Sequence, residues 1–316
     1  MHDILPTLSE WCDNGKPFAI AVVTRVTGSS PREKGALMAI AQDGAAVGSI
    51  SAGCVEAKVI EAANEVLMTH EPKILSFGKA DELDPWTIGL SCGGSIDILV
   101  SIWDQSSPIL KAWLDEANLW QEATCWIPRS GDFRIAAENG DRELSATHYL
   151  LHFKPPPRLH IIGGGHIAGH LCALARQTGW HVTVIDPRDS FTESGHFAVK
   201  PHAIHRAWPQ DVLQAKQFGS ADYAILLTHD PKIDDPAITI LLKSEAAYIG
   251  ALGSHTTQQK RKQRLCAQGF SLEDIKRIHG PVGVDIGART PAEIAVSILA
   301  EIISVRNGGP KWKSVS

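Results

Sequence analysis

A short glycine-rich segment in the second half of the chain constrains the fold more than any other feature. The sequence LHIIGGGHIAGHLCALARQTGWHVTVIDPR, residues 159–188, places Gly163, Gly165 and Ala168 between an apolar strand and a helix, and Asp186 ends the next strand. In dinucleotide-binding domains these glycines permit a tight turn and let a pyrophosphate approach the helix N-terminus, while the acid contacts a ribose. The segment therefore predicts a Rossmann-like domain with a nucleotide at Gly163, Gly165 and Asp186, unless the glycines only close the turn of a domain that has lost its nucleotide.

The rest of the second half supports this prediction, because short apolar strands alternate with helices. The predicted strands and helices cover residues 159–162, 166–178, 181–185, 223–227, 247–249, 258–267 and 291–305. Such alternation is typical of a parallel sheet with helices on both faces. The fold class predicted for residues 158–316 is therefore α/β, with a doubly wound parallel sheet.

The first half has a different pattern, and a proline run separates the two halves. Three prolines at positions 155–157 predict an extended linker over residues 151–157. Residues 1–150 are predicted to form an α+β domain. Its expected elements are a strand over 18–26, a hairpin around 43–44, a helix over 55–68, a strand over 96–103, and a helix followed by irregular strands between 106 and 150.

Length and charge exclude several classes of protein. The 316 residues suit two globular domains, and the formal net charge of −5 argues against binding to nucleic acid or to an anionic membrane surface. No apolar run is long enough to span a membrane, and the start of the chain is acidic where a signal peptide would be basic. We therefore expect a cytoplasmic protein.

The six cysteines never form a CxxC pair, which argues against a zinc ribbon and predicts free thiols. Cys54 precedes a predicted helix in SAGCVE, where the helix dipole and free N–H groups favour a thiolate. Cys92 lies in SCGGS, where Gly93 and Gly94 flex the loop and leave the sulfur exposed. Cys54 and Cys92 are therefore candidate reactive or ligating cysteines, whereas packing as small hydrophobes is predicted for the other four, Cys12, Cys125, Cys172 and Cys266.

Polar residues follow two strands of the predicted parallel sheet. His166 lies inside the glycine loop, and His229 and Asp230 follow the apolar strand YAILLT. We expect these residues at the carboxyl edge of the sheet, where open α/β folds bind ligands. A divalent metal, a phosphate or a structural hydrogen bond would each explain the histidines, and the remaining histidines are expected at the surface.

Three further charged groups each allow two interpretations. Asp285, in GVDIGAR, suits either a polar ligand or a structural loop. Arg188 is either a phosphate contact or an ordinary surface arginine. The basic run at 260–262, with Arg264, is expected to form a solvated helix face rather than a phosphate site.

Together, these motifs resemble the XdhC/CoxI family, the accessory proteins for maturation of xanthine dehydrogenase and related molybdenum hydroxylases. The matching stretches, in the order of the family, are TGSSPREKGALM, GSISAGCVEAKV, LSCGGSIDI, HIIGGGHIAG, VTVIDPR, LLTHD, YIGALGSHTTQQKR and PVGVDIGARTPAEIAVSILAEI. The chain departs from the family pattern at GGGH, where GAGH is common, and at Pro231, where a second histidine often follows THD. The second departure weakens a metal-binding role for His229.

The resemblance implies a chaperone rather than a turnover catalyst. Such a protein binds the molybdenum cofactor, as molybdopterin or its cytosine dinucleotide form, protects it while a terminal oxo ligand is replaced by sulfur, and delivers it to an apo molybdenum hydroxylase. A cysteine desulfurase would supply the sulfur. Independently of the resemblance, we expect a homodimer, because a carrier with cysteines on separate loops could place its site at an interface. The family's important cysteines correspond to Cys92, a soft ligand for molybdenum, and Cys54. The loop with Ser29, Ser30 and Arg32 would contact the pterin and metal.

Two alternatives remain from the sequence. An NAD(P)-dependent oxidoreductase would use the Rossmann-like domain alone, although no hydride-transfer or proton-transfer group is recognisable in the second half. A scaffold that bridges desulfurase and hydroxylase without holding the cofactor is the other alternative.

Overall fold

The protein is described by a computed structural model covering residues 4–78, 90, 93–103, 110, 114, 123–128, 148–153, 156–193 and 197–309. The chain divides into two compact units, Met1–Pro155 and Pro156–Ser316. Among the described helices, none combines the length and apolar character that a membrane span requires.

The first unit is built on a five-stranded antiparallel sheet with the order β3-β2-β1-β5-β4. Two of its helices are α1 (Leu5–Asp13) and α2 (Glu56–Thr69). The strands of this sheet are β1 (Phe18–Thr27), β2 (Leu37–Ala41), β3 (Ala46–Gly48), β4 (Lys73–Phe77) and β5 (Ser95–Ile102). A separate antiparallel pair joins β6 (Ala123–Pro128) to β7 (His148–Phe153).

The apolar sequence of β1 explains its central place in this sheet. Successive side chains of a strand point to opposite faces, so a continuous apolar strand must be covered on both sides. Ile20 packs in one core with Leu8 of α1, and Ala21 packs in another core with Val59 of α2. The last residue of β1, Thr27, pairs with the first residue of β5, so the loops that adjoin these two ends lie side by side.

The second unit contains a six-stranded parallel sheet with the order β10-β9-β8-β11-β12-β13. Its strands are β8 (Arg158–Ile162), β9 (His181–Ile185), β10 (Ala203–His205), β11 (Asp222–Leu226), β12 (Tyr248–Ala251) and β13 (Ile278–His279). Its helices are α3 (His166–Gln177), α4 (Pro209–Leu213), α5 (Pro231–Leu242), α6 (His255–Ala267), α7 (Leu272–Ile275) and α8 (Pro291–Arg306). The strand order reverses between β8 and β11, and open α/β sheets bind ligands at such a switch point.

Helices cover both faces of the parallel sheet. Leu171 of α3 and Ile298 of α8 share one core with Ile161 of β8, whereas Ile238 of α5 and Ala224 of β11 share the other. The predicted fold class, a doubly wound α/β unit after an α+β unit, is confirmed.

The structure corrects three sequence-based expectations. The predicted linker begins too early, because β7 continues to Phe153 and residues 151–153 pair with β6. His160 is predicted at the surface, but it is buried because β8 lies inside the sheet, where His160 Nε2 is hydrogen bonded to Asp222 at 2.8 Å. Helix α6 begins at His255, three residues before the predicted start, because the Ser254 hydroxyl caps it.

Candidate functional site

Three loops of the first unit meet at one end of its sheet. Gly94 lies so close to Ser29 that a Cβ atom on Gly94 would collide with the Ser29 carbonyl oxygen. Arg32 connects the loop after β1 to the loop before α2, because its Nε donates to the Ser49 carbonyl oxygen at 3.2 Å. We call these loops, residues 27–36, 49–55 and 93–94, the N-terminal loop cluster.

Most predicted site residues of the first half lie in this cluster. Ser29 and Gly93 are exposed, and Arg32 and Cys54 are half-buried. The Ser30 hydroxyl shapes its own loop, because it donates to the Arg32 carbonyl oxygen at 2.8 Å. Cys92, with its predicted role as a molybdenum ligand, lies outside the described residues.

Glu56, which the sequence analysis did not single out, organises the loop that carries Cys54. Its carboxylate accepts hydrogen bonds from the Ser49 hydroxyl at 2.9 Å, from the Ser51 hydroxyl at 2.5 Å, and from the backbone N–H groups of Ser51 and Gly53 at 2.9 and 2.8 Å. Burial opposes ionisation of Glu56, but the hydrogen bonds from Ser51 and Ser49 outweigh it and lower the pKa of Glu56 to about 2. An acid in the first turn of a helix, directly after a serine-rich loop, is the sequence signal that could have identified it.

The chemistry of the N-terminal loop cluster suits a polar ligand. Arg32 offers a guanidinium, Ser29 a hydroxyl and Cys54 a thiol. Guanidinium and hydroxyl groups bind phosphate oxygens, and thiolates bind soft metals. The cluster therefore has donors for both parts of a phosphate-bearing metal complex.

The glycine loop of the second unit has the expected turn geometry. Gly163 adopts a φ of +101°, and a Cβ atom there would lie 2.7 Å from Thr228 Cγ2. A Cβ atom on Gly164 would collide with the Phe191 carbonyl oxygen. A Cβ atom on Gly165, by contrast, would meet no atom of the described residues within 4 Å. The protein's own packing thus requires the first two glycines, whereas Gly165 leaves open space at the N-terminus of α3, where an anion binds well.

Asp186 has a structural role that the sequence analysis did not predict. Its carboxylate is fully buried and accepts four hydrogen bonds, from Gly164 N at 2.8 Å and from N, Nε and Nη2 of Arg188 at 2.9, 2.9 and 2.7 Å. Burial raises the pKa of Asp186, but the bonds from Arg188 and Gly164 outweigh it and the net pKa is lowered. A carboxylate has about four acceptor positions, so a ribose hydroxyl would have to displace one of these donors. Arg188 is partly exposed beside the loop and is therefore better placed than Asp186 to contact a ligand.

The loop after β11 lies beside the glycine loop, because Thr228 contacts Gly163. His229 is exposed with a φ of +60°, which is rare for a residue other than glycine. The Asp230 side chain accepts from Lys232 N and caps α5. His166 is exposed as the first residue of α3. In the described ranges no group of three His, Cys, Asp or Glu side chains could hold a metal ion.

Asp285 lies in the exposed loop that leads into α8. Its Oδ1 accepts from Gly287 N at 3.4 Å. Within residues 156–193 and 197–309 no hydrogen bond connects Asp285 to the glycine loop. Its predicted contact with a ligand stays a prediction.

The basic run on α6 and one cysteine differ from expectation. Arg261 is buried, and Arg264 pairs with Asp235, with its Nε donating to Oδ2 at 2.5 Å. The prediction of a solvated face is therefore wrong for Arg261, whereas Lys260 and Lys262 are exposed and Arg264 is partly exposed. Cys266 is exposed because α6 turns its neighbour Leu265 into the core, whereas Cys172 is buried as predicted.

Comparisons with known proteins agree with this division of the chain. Residues 159–302 match the family model of the XdhC Rossmann domain, and residues 11–78 match that of the XdhC and CoxI family. The chain belongs to the XdhC/CoxI family. Both family models thus cover the described sites: the first contains the glycine loop, and the second contains the loops with Arg32 and Cys54.

Three similar proteins span nearly all of this XdhC/CoxI chain. A probable xanthine dehydrogenase subunit of Bacillus subtilis is 28% identical over 96% of the chain and 97% of its own length, and the molybdenum cofactor insertion chaperone PaoD of Escherichia coli is 26% identical over 93% and 85%. The Escherichia coli protein YqeB is 29% identical over 93% of the chain, which spans only 44% of YqeB. A crystal structure from Bacillus halodurans, described as a xanthine dehydrogenase, superposes with a TM-score of 0.79, 26% identity and 98% coverage of both chains.

Proposed function

We propose that this XdhC/CoxI protein binds the molybdenum cofactor as cargo, protects it during sulfuration, and inserts it into a hydroxylase of the xanthine dehydrogenase type. The observation that carries the proposal is the match to the insertion chaperone PaoD, which spans both units and 93% of the chain. A cysteine desulfurase as sulfur donor and a homodimeric assembly belong to the same proposal.

The N-terminal loop cluster is the proposed site for the pterin and metal. Arg32 and Ser29 would bind the phosphate and polar edge of the cargo, and Cys54 would contribute a thiol from the loop that Glu56 organises. Cys92 would act from the loop that precedes Gly93. Cargo bound between these loops would be shielded from water on the side that faces the protein.

Co-purification tests this assignment. The wild-type protein and the variants Cys92→Ala, Cys54→Ala and Arg32→Gln are purified from a host that makes the cofactor, and bound molybdenum and pterin are quantified. We expect both to fall in all three variants, while Cys266→Ala, which alters an exposed cysteine in the other unit, should retain the wild-type amount. Equal and negligible pterin in every sample would contradict the proposal.

The glycine loop is the proposed site for a nucleotide, either the dinucleotide part of the cargo or a separate molecule. The open space at Gly165 supports this assignment, because the protein's own packing leaves it unfilled. Gly165→Ala should keep the melting temperature and weaken binding of CTP or of the dinucleotide cofactor about tenfold or more. Tight binding of NAD(P)H with turnover of an alcohol or carbonyl would instead indicate the oxidoreductase.

A further inference from the structure

The second unit contains a cavity beneath α6, separate from the glycine loop. Its volume is about 240 Å³. The polar wall comes from α6 and includes His255, Gln259, Arg261 and Lys262. We call this space the α6 cavity.

The α6 cavity also has an apolar wall. Leu265, Ile275 and Ile278 line it and belong to or pack against one core of the unit. Two cationic side chains, those of Arg261 and Lys262, also line it. None of the lining residues, all within the described range 255–280, is acidic. An occupant would therefore combine negative charge with an apolar part.

Arg261, which lines the α6 cavity, carries a buried hydrogen-bond donor that the protein leaves unsatisfied. The residue is only 3% exposed, yet its Nε has no hydrogen-bond acceptor in the described part of the chain. A buried donor without an acceptor costs about 1–3 kcal/mol, so such groups are usually satisfied by a partner. This Nε is itself shielded from solvent, so an acidic ligand in the cavity would reach it once the guanidinium turns towards the ligand.

Two carboxylates, Asp234 and Asp235, lie near the charge of Arg261, but neither forms a close ion pair with it, because Asp235 pairs with Arg264. The nearest carboxylate contact of Arg261 is from Nη2 to Asp234 Oδ2, at 3.4 Å. The other oxygen of Asp234 accepts from the Thr228 hydroxyl at 2.6 Å, so this carboxylate is shared between two partners, and burial raises its pKa. Gln258 accepts from Arg261 Nη1 but carries no charge. A buried guanidinium in this setting gains from an external anion.

We propose that the α6 cavity binds a small organic anion, a phosphate or carboxylate attached to an apolar group, with Arg261 and Lys262 holding its charged end. The volume lies below the 300–1,000 Å³ of drug-sized ligand sites. A single ring or a branched aliphatic chain therefore fits the space. This site is independent of the proposed cofactor function.

Calorimetric titration of the full chain tests the proposal with three probes: phenyl phosphate, benzoate and inorganic phosphate. We expect one of the two organic anions to bind with a Kd on the order of 1 mM or tighter, at least fivefold better than inorganic phosphate. The same titration should shift the Nε–H resonance of Arg261 in the NMR spectrum. Phosphate and carboxylate are distinguished by which of the organic probes binds better.

Matched substitutions on α6 locate the binding. Lys262→Gln should weaken binding at least fivefold, whereas Lys260→Gln, the same change at an exposed lysine that does not line the cavity, should change it less than twofold. Gln259→Glu and Gln263→Glu form a second pair of the same kind, with loss of affinity expected only for Gln259→Glu. Failure of both organic anions to bind, equal binding of inorganic phosphate, or equal effects within either pair would overturn the proposal. Arg261 is left intact because its substitution would also break the contact with Asp234.

Discussion

The substitution Glu56→Gln tests whether one carboxylate holds the loop that carries Cys54. Glutamine has nearly the same shape, but it loses the charge and replaces one acceptor oxygen with an NH₂ donor. That donor would face groups that are themselves donors, the N–H of Ser51 or Gly53. The loop should therefore open more often in the variant.

The expected magnitude follows from the pKa of Glu56. A fall from 4.5 to about 2 corresponds to about 3 kcal/mol for a fully sheltered group at 1.36 kcal/mol per pH unit. Because Glu56 is partly solvated, we expect about 1–2 kcal/mol for the substitution at pH 7. This corresponds to about 5- to 30-fold faster hydrogen exchange in the peptide over residues 49–56, measured by mass spectrometry.

The stabilisation that Glu56 provides should decrease as the pH falls. Because the folded-state pKa of Glu56 is lowered, its stabilisation is fully present above pH 4.5 and is lost as the pH falls towards 2. In denaturant titrations the advantage of the wild type over Glu56→Gln should be constant from pH 7 to 5 and fall by more than half at pH 3. Glu71→Gln, at an exposed glutamate just beyond α2, is the matched control and should be neutral. An advantage that does not depend on pH, or normal exchange in the variant, would refute the argument.

Substitutions and cysteine labelling in the second unit test the packing of the glycine loop, the ion pair of Asp186 and the burial of Cys172. Gly163→Ala should destabilise this unit by about 1–3 kcal/mol in denaturant titration, because of its φ of +101° and the close contact with the next loop, whereas Gly165→Ala should be nearly neutral for folding. Arg188→Gln should lower the melting temperature by about 2–8 °C, because it leaves a buried carboxylate without its cation. A disulfide reagent at pH 8, followed by peptide mapping, should label exposed Cys266 and leave Cys172 unlabelled, because burial raises the Cys172 pKa to about 11. Labelling of Cys172 in the folded protein would contradict this.

Local patterns were sufficient to predict most of the fold. The glycine loop was predictable because the strand, the turn and the helix that form it all lie within 30 consecutive residues. The glycines and the spacing of the apolar residues in that stretch indicate each of them. Helix α5 was missed because Pro236 interrupts its interior, even though Asp230 caps its start. The burial of His160 was also missed, because its partner Asp222 lies 62 residues away on β11.

The candidate site was only partly predictable for the same reason. Sequence motifs identified Arg32, Cys54 and the glycines. Which residues contact them depends on how the loops come together in the folded chain, and local motifs do not show this. Glu56 was not recognised because its partners are mainly hydroxyls and backbone N–H groups, which have no sequence signature. Arg261 was assigned to the surface because a basic run is usually solvated, yet α6 turns it towards Asp234.

The ion pair of Asp186 and Arg188 has a consequence for recognition. The Asp186 carboxylate accepts from Gly164 N and is held in turn by the Arg188 guanidinium, so the glycine turn is restrained by the protein's own contacts. Binding then loses little conformational entropy at this turn, and the free and loaded backbones should superpose within about 1 Å there. In the proposed carrier function, such a preorganised surface would gain affinity without induced fit, and release of the cargo would have to be driven by the acceptor enzyme rather than by relaxation of the loop.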